Sequence, residues 1–202
     1  MNRKKLTNIG IVPTVREVYL GQFEHSYDSA IKELLNKIYR DYNLVILDNN
    51  SRLKNLDLII FSGGNDILMF SKKKNNKIRN KIDLKILKES IKKNIPILGI
   101  CHGMQMIANF FGSKIVKKKH VGNHKIIYFE DGKKLTTYVN SFHNYVILKL
   151  SNKFHIIALA NDGSCEAMLH KKKRILGIMW HPERYRKIKK FDVKLIKKYL
   201  CN

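Results

Sequence analysis

Three side chains stand out as able to do covalent chemistry: Cys101, His181 and Glu183. Cys101 lies in the run Pro96 to Ala108, where an apolar stretch enters Gly99-Ile100-Cys101-His102-Gly103 and leaves with helical spacing. This pattern predicts a nucleophile elbow, a strained strand-to-helix turn that lifts the sulfur above the sheet edge, with glycines where strand and helix pack closely. A helix N-terminus there offers unpaired N–H groups and a dipole that favour negative charge on sulfur. A lone buried cysteine is more commonly structural, but the flanking glycines argue against that here. The thiol needs a base, and Gly177-Ile178-Met179-Trp180-His181-Pro182-Glu183 supplies one. Period two predicts His181 and Glu183 on one face of an extended segment, with Pro182 at a strand end where a missing ladder donor is tolerated. His181 then takes the thiol proton and later protonates the leaving group, while Glu183 holds its tautomer.

A third element, Asp57 to Asp66, is an apolar strand ending in Ser62-Gly63-Gly64-Asn65. By itself this is an ordinary turn; beside an elbow it can face N–H groups toward a developing oxyanion. The N–H groups of Gly64 and His102 are the predicted oxyanion hole.

The elements that must position these residues read as an α/β fold, because apolar strand patterns alternate with helical ones. Strands are predicted near Asn8 to Val12, Leu44 to Leu47, Leu58 to Phe61, Ile95 to Ile100, Ile126 to Phe129, Ile156 to Leu159 and Ile175 to Trp180. Helices are predicted near Tyr27 to Tyr39, Lys77 to Lys92, Met104 to Phe110 and Lys187 to Tyr199. Gly64, Cys101 and His181 each follow a predicted strand, as ligand sites of such sheets do. The 202 residues suffice for one domain with a full core, read as spanning 1–202.

Ser62-Gly63-Gly64, Gly99 to Gln105 and His181-Pro182-Glu183, in this order, resemble the class I glutamine amidotransferase superfamily. Val139 to Asn144 and Ala160 to Ala167 resemble its gamma-glutamyl hydrolase branch. Phe61 to Asp66, His120 to His124, Asn140 to Asn144 and Gly177 to Arg184 look most like the gamma-glutamyl-CDP-amidate hydrolases, which serve phosphoramidate decoration of bacterial capsules. The resemblance implies a flavodoxin-like, mostly parallel sheet flanked by helices. It makes Cys101 the nucleophile, His181 the base and Glu183 its orienter. Gln105 would bind the glutamyl group, and Ser141 and Phe142 match a loop that holds the ends of the substrate. Related hydrolases often carry Arg after the nucleophile, and this chain has His102. A gamma-glutamyl-gamma-aminobutyrate-type hydrolase and a glutaminase subunit feeding ammonia to a synthetase are the alternatives. A catalytically dead binding module is opposed by the presence of both Cys101 and His181.

The formal charge of +24 would suggest nucleic acid on composition alone. The excess is mainly lysine scattered beside Asn and Ile, with no basic motif interleaved by aromatics, so no nucleic-acid partner is expected. The runs Lys72 to Lys74, Lys117 to Lys119 and Lys171 to Arg174 read as solvated loops or strand edges. The residual role is a positive field that draws in an anionic substrate, and Arg16, after the first strand, could meet a phosphate or carboxylate. No apolar run approaches the roughly 20 residues of a membrane span and Met1 to Leu6 resembles no signal segment, so a cytoplasmic enzyme without membrane partners is expected, its oligomeric state open. Three widely spaced cysteines imply no disulfide framework, with Cys165 and Cys201 as bystanders. No cofactor and no metal are expected: His120 and His124 flank Gly122 without a third ligand nearby in sequence, and His143 reads as structural.

Overall fold

The computed structural model describes residues 6–201. Its strands are β1 (Thr7–Val12), β2 (Thr14–Tyr19), β3 (Gln22–Ser26), β4 (Tyr42–Ile46), β5 (Leu58–Phe61), β6 (Ile97–Ile100), β7 (Lys114–Glu130), β8 (Lys133–Lys149), β9 (Phe154–Ala160), β10 (Cys165–His170) and β11 (Ile175–Ile178). The helices are α1 (Ile31–Ile38), α2 (Lys74–Lys92), α3 (His102–Phe110) and α4 (Lys190–Leu200). Nine strands form one sheet in the order β4-β1-β5-β6-β11-β10-β8-β7-β9, and β2 and β3 form a separate hairpin.

The α/β class holds, but the expectation of a mostly parallel sheet needs correction. β4, β1, β5, β6 and β11 are parallel, whereas β10, β8, β7 and β9 are joined by antiparallel pairings, with β9 also pairing back to β10. Connection length explains the switch. The crossover through α2 returns the chain in the same direction from β5 to β6, while the short turns after β7, β9 and β10 reverse it.

The parallel strands carry apolar residues on both faces, which is why they read as continuous runs. In β5, Leu58 and Ile60 pack with Ile31, Leu34 and Leu35 of α1 and Leu195 and Ile196 of α4. Ile59 and Phe61 point the other way, onto Ile82, Ile86 and Leu87 of α2 and Met104 and Ile107 of α3. The sheet is therefore the middle layer, and each fully buried Ile or Leu contributes roughly 1.5–3 kcal/mol. The hairpin β2–β3, the strand β10 and the full length of β7 and β8 are absent from the sequence prediction. The hairpin and the two long strands are largely polar or half-exposed and carry no long apolar run. Among the described residues, no helix is long and apolar enough to cross a membrane. The Met1 to Leu6 reading falls, except for Leu6, outside those residues.

Candidate active site

β6 ends at Ile100 and α3 begins at His102, so Cys101 is the turn itself, with φ +50° and ψ −103°. Few non-glycine residues adopt such a backbone. It is held from both sides: Cys101 N–H donates to Ile178 O of β11 (2.8 Å), and Gln105 N–H donates to Cys101 O (3.0 Å). The elbow glycines are needed for space. A Cβ at Gly103 would run into the backbone of Phe61, and one at Gly99 would lie 2.9 Å from Met104 N.

His181 and Glu183 meet by a different local geometry from the extended segment expected. β11 stops at Ile178, and Pro182–Arg184 form a single 3-10 turn that starts with the proline. Proline's preset φ and missing N–H suit a helical start, so the Pro that reads as a strand end opens a turn instead. Within it, His181 Nδ1 lies 2.7 Å from Glu183 Oε1. That bond assigns hydrogen to Nδ1 and leaves Nε2 for the side where Cys101 stands. Burial pulls the His181 pKa down, but hydrogen bonding to Cys101 and to Glu183 outweighs it and raises the value to about 9. Gly63 closes the group, since a Cβ there would come within 2.6 Å of His181 Cε1 and 3.5 Å of Cys101 Cβ. Gly64, at φ +122°, follows in the same loop. The other cysteines are apart from this group: burial pushes the Cys165 thiol up to about 12, and exposed Cys201 donates to Tyr39 Oη.

Asn140 escapes the sequence analysis as a positioning residue. Its Nδ2 donates to His181 O and its Oδ1 accepts from His181 N–H, both at 2.8 Å. This two-way brace sets the histidine backbone from β8. Phe142, two residues on, is exposed and packs edge-on to the His181 ring at 5.6 Å between centroids, and the Arg184 guanidinium lies 5.4 Å from the centre of the Phe142 ring. Ser141 is buried, and its hydroxyl donates to His120 O rather than facing Cys101. Gln105 is also buried, with its amide nitrogen donating to Tyr145 O (2.9 Å) and contacting Met179 Sδ (3.6 Å). Arg16 lies on β2, exposed, and lines a small cavity of about 40 Å³ with Thr14, Gly63, Gly64, Glu183 and Arg184.

His102 turns away from the site. Its Nε2 is 2.8 Å from Asp83 Oδ2 on α2, and Asp83 Oδ1 is 2.8 Å from Arg79 Nε. The Arg79 guanidinium continues to Pro13 O and to Ser62 O. One buried chain of charged hydrogen bonds thus joins the residue after the cysteine to the loop that bears Gly63 and Gly64. Its sequence signal is available: Arg79 and Asp83 are spaced i,i+4 on the same side of α2 as Ile82, Ile86 and Leu87. Burial opposes Asp83 ionisation, but Arg79 and His102 outweigh it and hold the carboxyl below the usual carboxylate range. A depressed folded value stabilises above the unfolded pKa, and that stability is lost as pH falls through the folded value. Asp83→Asn should therefore cost about 3–5 kcal/mol at neutral pH, because it strands the Arg79 charge. Urea unfolding checks this, with the gap to the parent narrowing below about pH 4. A variant as stable as the parent at pH 7 would sink the assignment.

His120 and His124, lacking a third ligand nearby in sequence, do not stand alone in space. Strand pairing sets His120 opposite His143, and β10 brings Glu166 to both.

The Glutamine amidotransferase class-I family model matches residues 20–199. The chain is 40% identical over 127 residues to the gamma-glutamyl-CDP-amidate hydrolase of Campylobacter jejuni, a match that spans 62% of this chain and 62% of that protein. It is 30% identical over 175 residues to one subunit of the glutamine-hydrolysing GMP synthase of Methanococcus aeolicus, covering 81% of this chain and 84% of that one. A solved glutamine amidotransferase from Thermotoga maritima shares the fold, with TM-score 0.70 at 17% identity over 96% of this chain and 84% of its own. A matched family model over nearly the whole chain, carried on the nucleophile-elbow fold described above, makes this chain a member of the class I glutamine amidotransferase family.

Proposed function

We propose that the protein hydrolyses a gamma-glutamyl amide through a glutamyl thioester, with Cys101, His181 and Glu183 as the triad. The observation that carries this reading is the convergence of an elbow cysteine, a Glu-held histidine and a glycine loop within one buried group. Cys101 Sγ, its proton already held on His181 Nε2, bonds to the delta carbon. N–H groups of Gly64 and His102 receive the oxyanion. His181 then gives the proton to the departing nitrogen, the C–N bond breaks, and water, deprotonated by His181, releases glutamate and frees the thiol. Glu183 supports the imidazolium throughout. Gln105, Ser141 and Phe142 form the glutamyl side of the site, the first two through the backbone and walls they brace.

The preferred leaving group is a cytidine diphosphate amidate, which would yield cytidine diphosphoramidate for capsule decoration. Its support is the 40% likeness to the Campylobacter hydrolase, two arginines, Arg16 and Arg184, at the cavity beside Gly63, and a net charge of +24 that suits an anion. A second reading, a glutaminase serving a separate synthetase, draws on the likeness to the Methanococcus GMP synthase.

A panel of three substrates separates them by released glutamate. The purified chain alone should turn over gamma-glutamyl-CDP-amidate with kcat/KM at least about a hundredfold above glutamine, because binding energy from the larger leaving group is used in the transition state. Added salt should lower that kcat/KM by screening the field. Preference for gamma-glutamyl-gamma-aminobutyrate would reassign the leaving group. Efficient glutamine hydrolysis only with a synthetase present would establish the glutaminase reading in its place.

A further inference from the structure

Outside the triad, one cluster of side chains holds several buried polar atoms that lack hydrogen-bond partners. His120 and His124 project from β7, His143 from β8 and Glu166 from β10. His120 Nδ1, His124 Nε2, His143 Nε2 and both Glu166 oxygens have no hydrogen bond among the described residues. Buried polar atoms in native proteins are nearly always paired, so five in one place require an explanation.

Their protons sharpen it. His120 Nε2 lies 2.9 Å from Asp162 Oδ2, and His143 Nδ1 lies 3.0 Å from Tyr145 O. Both partners are acceptors, so each ring donates outward and turns a lone pair inward. The inward lone pairs face Glu166, a carboxylate that also only accepts. Acceptors thus converge on acceptors, and what the arrangement lacks is a cation.

Distances distinguish the cation. His120 Nδ1, His124 Nε2 and His143 Nε2 lie 3.5, 3.5 and 3.7 Å from the same Glu166 Oε1. A charge-assisted N–H···O bond would be about 2.7–2.9 Å. Zinc bonds of about 2.0–2.2 Å to N and O in a tetrahedron place neighbouring ligand atoms roughly 3.3–3.5 Å apart. The spacing is therefore long for hydrogen bonds and fits ligands sharing one ion. The ligand atoms of His120, His143 and Glu166 all lie within 4.8 Å of one another.

We propose that His120, His143 and Glu166 bind one divalent transition metal of the zinc class, with His124 beside Glu166. Imidazole and carboxylate donors without sulfur suit such an ion. The outward bonds of His120 to a carboxylate and of His143 to a carbonyl are the supports that metal-bound histidines need. The three ligands come from three different strands, so the ion's role is structural: it ties β7, β8 and β10 together. On β8 it lies three residues from Asn140, which braces His181, and Ser141 bonds directly to the His120 carbonyl. The site also borders an open cavity of about 280 Å³ lined by Lys119, His120, His124 and Asp162, which gives the ion a route in.

Metal analysis by mass spectrometry of the purified chain after dialysis tests this. One zinc per chain is expected in the parent and in Cys101→Ser, which excludes capture by the triad, and Glu166→Gln should bind zinc at least about a hundredfold more weakly. Because Glu166→Gln could misfold, cobalt(II) loading of the parent provides the second reading. It should give the strong visible absorption of a four-coordinate site, without the thiolate charge-transfer band that a cysteine ligand would add. Chelation should lower the parent's Tm. A parent that neither retains nor tightly rebinds zinc, zinc lost in Cys101→Ser, or an octahedral cobalt spectrum would each overturn the proposal. Protonated histidines around Glu166 would then explain the cluster.

Discussion

A Cys101→Ser variant folds as the parent does and releases glutamate at least about a thousandfold more slowly. The expectation follows from the elbow. Serine is close in size to cysteine and can occupy the same turn, held by the bonds to Ile178 and Gln105, so circular dichroism and Tm should be unchanged. Its hydroxyl is a far weaker nucleophile at neutral pH, and His181 is tuned for a thiol. Specificity is read from the other cysteines. Cys165 is buried with its thiol pushed up to about 12, so Cys165→Ser should retain turnover, and a glutamine-like chloroketone should label Cys101 alone. Near-parental turnover by Cys101→Ser, or equal damage from Cys165→Ser, would end the assignment.

His181→Ala should cost about ten-thousandfold in kcat/KM and Glu183→Gln only about a hundredfold, since removing the imidazole deletes both proton transfers while an amide still orients the ring. The pH profile adds a test that a structural role would not pass. The folded His181 value is raised to about 9 through Cys101 and Glu183, against burial. A raised value keeps the imidazolium present below its unfolded pKa of about 6.5 and loses it as pH rises through about 9. The alkaline limb of kcat/KM should therefore fall near pH 9 and belong to the Cys101–His181 pair rather than to either residue alone. Glu183→Gln removes one of the groups that raise it, so that limb should move to lower pH. An unshifted limb would mean that Glu183 does not act through the imidazole.

Chemistry written within a few residues is legible in this chain without a structure. Gly99-Ile100-Cys101-His102-Gly103 specifies its own turn, because glycine spacing and an apolar run are local properties. β1, β5, β6 and β11 are equally readable, since strands buried on both faces carry unbroken apolar sequence. His181 and Glu183 are legible as partners, though Pro182 brings them together through a 3-10 turn rather than an extended strand. Other features depend on pairing between distant segments. β8 and β10 are antiparallel to their neighbours because the turns before them are short, and β8 in particular is a polar, half-exposed stretch that leaves no periodic trace. The Arg79–Asp83–His102 chain exists only because α2 packs against the elbow, which draws the His102 side chain into the core. Asn140 reaches His181 across 41 positions. His120, His143 and Glu166 become neighbours through the register of β7 against β8 and the return of β10. Local sequence encodes what one segment can do by itself, whereas strand register and helix packing decide which distant segments share a site, and those follow from burying the whole core at once.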